Sequence, residues 1–262
     1  MSELEHARQV AISAANAASK VIMRYFQGDF DIEIKADQTP VTVADKMAED
    51  AIREVILGEY PRHTIFGEER GISRGEGGLE SGYTWLVDPI DGTKCFVNGY
   101  GMFSCQIALM QNGQLVVGVS TAPVYDEQAS GVLGMGAQLN GEILRVSDVS
   151  HIEDASVSTG NIGSLAASDR WNAFGKIMAR VNTTRGYGDY YHYHRLAAGQ
   201  LDAVIESDLN ILDIAALTVI VREAGGVVTD LDGAPISLDS TSILAANPAL
   251  HQELLKALNG TS

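Results

Sequence analysis

The chain has 262 residues and a formal net charge of -16, and 45% of its residues are hydrophobic. A chain of this length can bury a large core, either as one large domain or as two small ones. The negative charge is spread along the chain, and it argues against nucleic acid and membrane partners because both are themselves anionic. The two cysteines, Cys95 and Cys105, are too few for a disulfide framework or a zinc site.

The N-terminal segment and the cysteine content indicate where the protein works. Residues 1–6 are polar and lack the basic and apolar regions of a signal peptide. No apolar run approaches the roughly 20 residues of a membrane span. Two isolated cysteines fit a reducing compartment. We therefore expect a cytoplasmic protein with no membrane association.

The spacing of apolar residues predicts an alternation of helices and strands. In the first half the pattern predicts, in chain order, a helix over 4–26, a helix over 42–57, a strand over 64–66, a loop over 70–82, a buried strand over 83–87, and strands over 105–110 and 115–119 joined by a hairpin turn at 111–113. In the second half it predicts a hairpin at 140–141, a strand over 154–158, helices over 168–181 and 190–198, a strand over 201–205, a helix over 214–224, and a last helix that begins at Asn247-Pro248. This alternation predicts layers of helix and sheet.

The most informative segment follows the buried strand over residues 83–87. It reads Asp88-Pro89-Ile90-Asp91-Gly92-Thr93, so two carboxylates lie where the strand is expected to give way to a turn. The following Gly92 and Thr93 can begin the next element and present backbone amides to an anion. Carboxylates for a metal beside amides for an anion are typical of a site that handles phosphate.

Four acidic residues share a position at the end of a predicted element: Glu68, Asp88, Asp91 and Asp213. If they converged without cations, each like-charge pair at 4 Å would cost roughly 4 kcal/mol at an effective dielectric of 20. Divalent cations remove that repulsion, and ligands that are all oxygen favour Mg²⁺ over zinc or copper. Taken singly, Asp-Gly and Asp-Pro are ordinary turn dipeptides, and the prediction of a metal site depends on the whole set.

The set of motifs and its order along the chain resemble the inositol monophosphatase superfamily of Mg²⁺-dependent, lithium-sensitive phosphatases. The matching segments are Lys35–Thr42, Asp45, Gly67-Glu68-Glu69, Asp88–Thr93 and Asp213–Ala216. They are spread over nearly the whole chain. The resemblance implies an α+β fold, a layered α-β-α-β-α sandwich of the inositol monophosphatase and fructose-1,6-bisphosphatase type, usually as a homodimer. It also implies one phosphatase unit over residues 1–262, with most metal ligands in residues 1–145 and with Asp213 and the specificity residues in residues 146–262.

The resemblance further implies a role for each matching residue. The metal ligands would be Glu68, Asp88, the backbone carbonyl of Ile90, Asp91 and Asp213, and they would hold two or three Mg²⁺ ions. Glu68 and Thr93 would orient and activate the attacking water, and Asp45 would support water bound to the metal. The amides of Gly92 and Thr93 would bind the phosphate group. No covalent nucleophile is required, because phosphoryl transfer depends mainly on positioning and on neutralising charge.

The ester that would be hydrolysed is indicated by residues later in the chain. Lys94 after Asp-Gly-Thr and the segment Arg185–Tyr190 look like the histidinol-phosphate phosphatases of this superfamily. Histidinol phosphate carries an amine and an imidazole, which acidic side chains can hold by charge-assisted hydrogen bonds. Residues Asp189, Glu206 and Asp208 are the candidates for that role.

Several alternatives remain open at this point. Asp189 can equally serve as the N-cap of the helix predicted over residues 190–198. The substrate can instead be inositol-1-phosphate, or a range of sugar and nucleotide phosphates. A protein that only binds anions or a protein partner is the alternative without catalysis, and the intact set of acids argues against it.

Overall fold

The computed structural model describes residues 1–26, 28, 32–34, 40–73, 75–76 and 78–260, with only the backbone for 32–34 and 40–41. In this part of the chain the helices are α1 (Glu3–Tyr25), α2 (Val43–Glu59), α3 (Thr93–Val97), α4 (Gly163–Ala166), α5 (Trp171–Met178), α6 (Asp189–Ala197), α7 (Ile211–Glu223) and α8 (Pro248–Asn259). Helix α1 shows why these segments are helical. Ser2 accepts a hydrogen bond from the Glu5 amide as its N-cap, and small alanines line the face that is buried.

The strands of the same residues form three sheets. The strands are β1 (Ile32–Ile34), β2 (Pro40–Thr42), β3 (Thr64–Gly67), β4 (Gly71–Ser73), β5 (Tyr83–Asp91), β6 (Ser104–Gln111), β7 (Gln114–Ala122), β8 (Glu127–Val132), β9 (Gly136–Leu139), β10 (Glu142–Ile143), β11 (Ser156–Thr159), β12 (Thr183–Arg185), β13 (Ala203–Ser207), β14 (Val227–Thr229) and β15 (Ser242–Ala246). The larger sheet has the order β10-β9-β8-β7-β6-β5-β3-β4, and the smaller has the order β12-β11-β13-β15-β14. Strands β1 and β2 form a separate pair.

Three apolar cores separate the layers of the molecule. The first core lies between one face of the larger sheet and the helices α1 and α2. The second lies between the other face of the larger sheet and the smaller sheet, and it includes α6 and α7. The third lies between the smaller sheet and the helices α5 and α8. Side chains alternate between cores along a strand, as the pleat requires. Trp85 and Val87 enter the first core, whereas Leu86 enters the second. The layers therefore run α-β-α-β-α, and the predicted sandwich is confirmed.

The predicted elements are found, but several of them differ from the prediction in type or bounds. The segment predicted as a loop over 70–82 contains β4, which pairs antiparallel with β3. The helix predicted over 168–181 is shorter, because α5 covers only Trp171–Met178 and a separate turn of helix, α4, precedes it. The strand predicted over 83–87 continues to Asp91 as β5. Both predicted hairpins are present, with Asn112-Gly113 and Asn140-Gly141 in the left-handed region that such turns need.

The layers bring together residues that are far apart in sequence. Strand β5 lies inside the larger sheet, parallel to β3 and antiparallel to β6. Helix α2 packs against β5 from the first core, and α7 packs against β5 and β6 from the second. Helix α7 is apolar on nearly every side, as expected for a helix buried between two sheets. The carboxyl end of β5 thus receives residues from β3, α2 and α7.

Candidate active site

Strand β5 continues through Pro89, so it carries Asp88 just before the proline and Asp91 two residues after it. Its pairing with β6 is regular up to Asp88 opposite Gln106 and resumes at Asp91 opposite Ser104, so the register shifts between them. Pro89 lies in this irregular segment, where a missing amide does no harm. The Ile90 amide donates to Asp88 Oδ1 at 2.9 Å. The irregularity brings both carboxylates to the same end of the strand.

Asp213 reaches the same place from the first turn of α7. Its carboxylate accepts hydrogen bonds from the Asn210 amide at 2.9 Å and from Asn210 Nδ2 at 2.7 Å, while Asn210 Oδ1 accepts from the Leu212 amide. This reciprocal arrangement is a capping box, which fixes the start of the helix. The sequence-based prediction placed Asp213 just before this helix, and the structure places it inside, at the third helical position.

The carboxylates of Asp88, Asp91 and Asp213 form one cluster, in which Asp88 and Asp91 are buried and Asp213 is partly buried. One oxygen from each lies within 4.8 Å of the others. Burial raises the pKa of Asp88 well above its usual range, and the nearby charges of Glu68, Asp91 and Asp213 raise it further. Burial likewise raises the pKa of Asp91, and it raises that of Asp213 to about 7. Carboxylates held this way repel one another unless a cation lies between them.

Glu68 joins the cluster from the end of β3. Its amide donates to the Val87 carbonyl at 3.1 Å, which continues the pairing of β3 with β5. Its side chain shares a hydrogen bond with Asp88. The structure therefore places all four predicted carboxylate ligands together.

The Ile90 carbonyl and the Thr93 hydroxyl lie beside these acids. Thr93 Oγ1 is 3.0 Å from the Ile90 carbonyl oxygen and 3.4 Å from Asp45 Oδ1. A hydroxyl has one proton to donate and two lone pairs, so Thr93 can donate to either oxygen and still accept a hydrogen bond. Gly92, with a φ of 90°, turns the chain so that Thr93 begins α3. The first amides of a helix have no acceptor within it, which leaves them available to an anion.

Asp45 is fixed by the start of α2. Its Oδ2 accepts from the Thr42 amide at 2.7 Å and from Thr42 Oγ1 at 2.5 Å, and the Thr42 hydroxyl accepts from the Ala44 amide. Burial raises the pKa of Asp45, although the hydrogen bonds from Thr42 lower it, and the charge of Glu68 raises it again. The predicted match over residues 35–39 lies outside the described residues.

Two polar residues of β6 contact the cluster and were not predicted from the sequence. Ser104 Oγ donates to Asp91 Oδ2 at 3.2 Å, and Gln106 Nε2 lies 3.4 Å from the same oxygen. Gln106 Nε2 also donates to Ser104 Oγ at 2.7 Å. Their signal is in the sequence, because Ser104 and Gln106 are two residues apart in a strand that is apolar from Ile107 to Met110, and so they share one face.

Asp189 approaches the cluster from α6. It is the first residue of that helix, with a φ of 47°, and Gly188 occupies the N-cap position without a capping side chain, so Asp189 is not the N-cap. Its Oδ2 is 3.8 Å from Cys95 Sγ. Burial and the charge of Glu206 raise the pKa of Asp189 to about 6. The charge of Asp189 in turn raises the pKa of Asp91.

Glu206 lies behind Asp189 and is bound on both sides. Its side chain is almost fully buried, with 1% of the residue exposed. Oε1 accepts from the Asn161 amide at 3.0 Å and Oε2 accepts from the Tyr193 hydroxyl at 2.8 Å. His192 Nε2 is 3.1 Å from Oε2, but it is not aligned for a hydrogen bond. Glu206 therefore joins β13, α6 and the end of β11.

Asp208 is placed differently from the other two candidates for substrate recognition. It is exposed, and its carboxylate accepts hydrogen bonds from the Ser164 amide at 2.9 Å and from Ser207 Oγ at 3.0 Å. Asp189 and Glu206 line a cavity of about 230 Å³ together with Asn161 and Tyr187, and Asp208 does not line it. The structure thus unites two of the three predicted residues.

The cysteines take no part in the chemistry as nucleophiles. Burial and the charge of Asp189 raise the pKa of Cys95 to about 11, and burial raises that of Cys105 to about 12. Both thiols are free and stay protonated near neutral pH, so neither supplies a thiolate.

The residues of the cluster fit Mg²⁺. Every donor is an oxygen, as a hard cation requires. The acids are crowded and largely buried. A cation between them would therefore offset both their mutual repulsion and the cost of burying their charges. Glu68, Asp88, Asp91, Asp213 and the Ile90 carbonyl are the groups that would hold it.

The model of the inositol monophosphatase family matches residues 3–261. A histidinol-phosphatase from Streptomyces coelicolor is 38% identical over 255 residues, which cover 94% of each chain. An inositol-1-monophosphatase from Mesorhizobium japonicum is 34% identical over 254 residues, 95% of this chain and 94% of that one. The crystal structure of the extragenic suppressor protein suhB from Bartonella henselae has a TM-score of 0.87 at 31% identity, with 97% of this chain and 98% of that chain covered.

The fold, the acidic cluster and these relatives define the protein as a phosphatase of a class that generally depends on Mg²⁺. The chain belongs to the inositol monophosphatase family. Its substrate is a phosphate ester, as is general for that family. Every helix in the described part of the chain is too short or too polar to cross a bilayer.

Proposed function

We propose that this protein is a Mg²⁺-dependent phosphomonoester hydrolase that converts L-histidinol phosphate into L-histidinol and phosphate by direct attack of water. The observation that carries the choice of substrate is Asp189. Its carboxylate lies at the edge of the acidic cluster and lines the adjoining cavity, where it offers a negative charge to a cationic group of the substrate.

The phosphate half of the substrate binds at the end of β5. The amides of Gly92 and Thr93 donate to phosphate oxygens, since they begin a helix. Bound Mg²⁺ supplies the positive charge that the phosphate and the carboxylates need, and it makes water more acidic. Glu68 and the Thr93 hydroxyl hold the attacking water, and Asp45 holds Thr93. Two or three ions at this site and a homodimer are part of the same proposal.

The alcohol half of the substrate binds in the cavity beside Asp189. Asp189 and Glu206 give this cavity two carboxylates. Its volume of about 230 Å³ suits a small ligand. A cationic amine or imidazolium facing Asp189 forms a hydrogen bond in which both partners are charged, whereas a neutral polyol offers only a hydroxyl to the same carboxylate. Glu206 is held by Asn161 and Tyr193, so it acts on the cation mainly through its charge.

Inositol-1-phosphate is the second candidate substrate. The identity of 34% to an inositol-1-monophosphatase is close to the 38% found for a histidinol-phosphatase. Carboxylates also accept hydrogen bonds from hydroxyl groups, so Asp189 and Glu206 suit a polyol as well. Sugar and nucleotide phosphates also carry hydroxyl groups, so the same hydrogen bonds allow a broad specificity for these esters.

Replacing Asp189 with asparagine should separate these candidates. We expect kcat/KM for histidinol phosphate to fall roughly tenfold to a hundredfold, because a hydrogen bond to a charged group contributes about 1.5–3 kcal/mol. For inositol-1-phosphate the loss should be smaller, because the oxygen of asparagine still accepts a hydrogen bond from a hydroxyl and no ion pair is broken. Phosphate release is measured with both esters and phosphoadenosine phosphate, in the wild type and in Asp189→Asn.

The exposed Asp169 provides a matched control, because Asp169→Asn removes the same charge far from any predicted role. It should leave all three rates unchanged. A wild-type preference for inositol-1-phosphate or phosphoadenosine phosphate over histidinol phosphate would contradict the proposed substrate. Equal losses for all esters in Asp189→Asn would contradict the role of its charge.

A further inference from the structure

The turn that follows Glu68 is held by a buried carboxylate from another element. Glu49, on α2, accepts a hydrogen bond from the Glu69 amide through Oε2 at 2.6 Å. The Arg70 amide lies 3.2 Å from both oxygens of the same carboxylate. The Glu68 amide itself is bound to Val87 of β5. Three successive amides, those of residues 68, 69 and 70, are therefore fixed by groups outside the turn.

Glu49 is paired with a cation that holds the next strand. The Glu49 side chain is fully buried, and Arg53 Nε donates to its Oε1 at 2.7 Å. The Arg53 guanidinium also donates to the Gly71 carbonyl at 2.5 Å and to the Ser73 hydroxyl, both in β4. A charged pair of this kind is costly to bury unless its remaining hydrogen bonds are satisfied, and here the turn satisfies those of Glu49 and β4 satisfies those of Arg53.

The residue before Glu68 is adapted to this carboxylate. A Cβ atom placed on Gly67 would lie 2.1 Å from Glu49 Oε1, far inside the contact distance. A side chain at position 67 would thus displace either Glu49 or the end of β3. Glycine allows the carboxylate to lie directly against the backbone that carries Glu68.

Helix α2 connects this turn with the rest of the site. Asp45 and Glu49 are one helical turn apart, so they lie on the same face. Asp45 contacts Thr93, and Glu49 contacts the turn after Glu68. The two residues assigned to the attacking water are thus positioned by successive acids of one helix.

We propose that Glu49 is a positioning residue that fixes the backbone of Glu68, so that the Glu68 carboxylate is held ready for Mg²⁺ and for the attacking water. The proposal rests on the function proposed above. It differs from a role in stability alone, because loss of positioning changes metal affinity and turnover while the protein stays folded. Groups that orient metal ligands typically contribute 10–100-fold in affinity or activity.

The test is the substitution Glu49→Gln, with Asp50→Asn as the control. Asp50 is the next residue on α2, and its carboxylate pairs with the exposed Arg70 side chain instead of the Arg70 amide. Binding of Mg²⁺ is measured by calorimetry, and kcat and KM are measured at saturating Mg²⁺ at a temperature where circular dichroism shows every variant folded. For Glu49→Gln we expect a Kd for Mg²⁺ raised at least about tenfold and a kcat lowered at least about tenfold, with KM within about threefold of the wild type. Asp50→Asn should change each value by less than about twofold.

Two results separate the failure of this proposal from that of the proposed function. Normal Mg²⁺ affinity and normal kcat in folded Glu49→Gln would overturn the positioning role even in an active enzyme. If the wild type hydrolyses no ester, weakened Mg²⁺ binding in Glu49→Gln still supports positioning. Should Glu49→Gln fail to fold, Glu49→Asp is measured in the same way, because it keeps the charge near Arg53 and withdraws the carboxylate from the turn.

Discussion

Replacing Asp88 with asparagine should lower kcat/KM by roughly a thousandfold or more while the protein remains folded. Asp88 is buried against Glu68, Asp91 and Asp213, so no other residue can take its place between them. A metal ion contributes several kcal/mol to stabilising the transition state, and each 1.36 kcal/mol is a factor of ten in rate. Phosphate release at saturating Mg²⁺ measures the effect.

The same substitution should leave the metal-free protein at least as stable as the wild type. Asparagine has the shape of aspartate and can still accept from the Ile90 amide, and it removes one charge from a crowded, largely buried cluster. Thermal unfolding in EDTA measures this, with the exposed Asp169→Asn variant as the control. Near-normal turnover in Asp88→Asn would refute the metal site, and a large drop in Tm would mean that its loss of activity reflects unfolding.

Stabilisation by Mg²⁺ should grow strongly as the pH rises. Burial raises the pKa of Asp213 to about 7 and that of Asp189 to about 6, and it raises those of Asp88 and Asp91 as well. A carboxyl whose pKa is raised by folding stabilises the fold below its unfolded pKa of 3.8, and that stability is lost as the pH rises through the folded pKa. Without metal, these groups therefore destabilise the protein progressively between about pH 4 and pH 7 or above.

Magnesium should reverse that loss because it binds the ionised form. At a concentration of about 100 Kd it adds about 2.7 kcal/mol, which corresponds to a rise in Tm of roughly 5–10 °C for a chain of this size. We expect most of this rise at pH 8 and little at pH 5.5, where protons compete for the carboxylates. Calorimetric scans with and without Mg²⁺ at each pH, at matched ionic strength, measure the difference.

The histidines do not obscure this measurement. Burial lowers the pKa values of His63, His194 and His251, so their contribution to stability is present above about pH 6.5 and is lost as the pH falls. It is the same with and without Mg²⁺, and it cancels in the difference. A shift in Tm that is equal at pH 5.5 and pH 8 would contradict binding by the buried carboxylates.

The positions of the metal-binding acids could be predicted because they follow local rules. Asp88 and Asp91 follow a run of apolar strand residues, and Asp213 precedes an apolar helix, so each was expected at an exposed end of an element. The resemblance to a family then predicted that they belong to one site. The extension of β5 could not be predicted, because Pro89 lacks the amide that a strand normally uses, and only the bulge makes it acceptable.

The strands that the sequence did not reveal have weak local signals. Strand β15 reads Ser-Ile-Leu-Ala-Ala, which suits a helix as well as a strand. Strand β12 is only three residues long, and its side chains are partly or fully exposed. Such segments become strands because neighbouring strands supply hydrogen bonds, which local sequence does not encode.

Buried charges were harder to interpret than metal ligands. Glu49 and Arg53 are four residues apart on a helix, which is the spacing of an ordinary surface ion pair. Only the packing of α2 against β5 and the turn after β3 buries them and directs Glu49 to that turn. Glu206 was predicted to contact substrate directly, and the structure shows that Asn161 and Tyr193 already bind both of its oxygens.

The central claim is that Asp88, Asp91 and Asp213 form a site for divalent metal. Crystals grown with Mn²⁺ in place of Mg²⁺ test it directly, because anomalous scattering identifies the ion and its ligands. We expect at least one strong anomalous peak among these three carboxylates, about 2.0–2.5 Å from their oxygens, and its absence from crystals of Asp88→Asn. An empty cluster at saturating Mn²⁺, or an ion bound only elsewhere, would contradict the account.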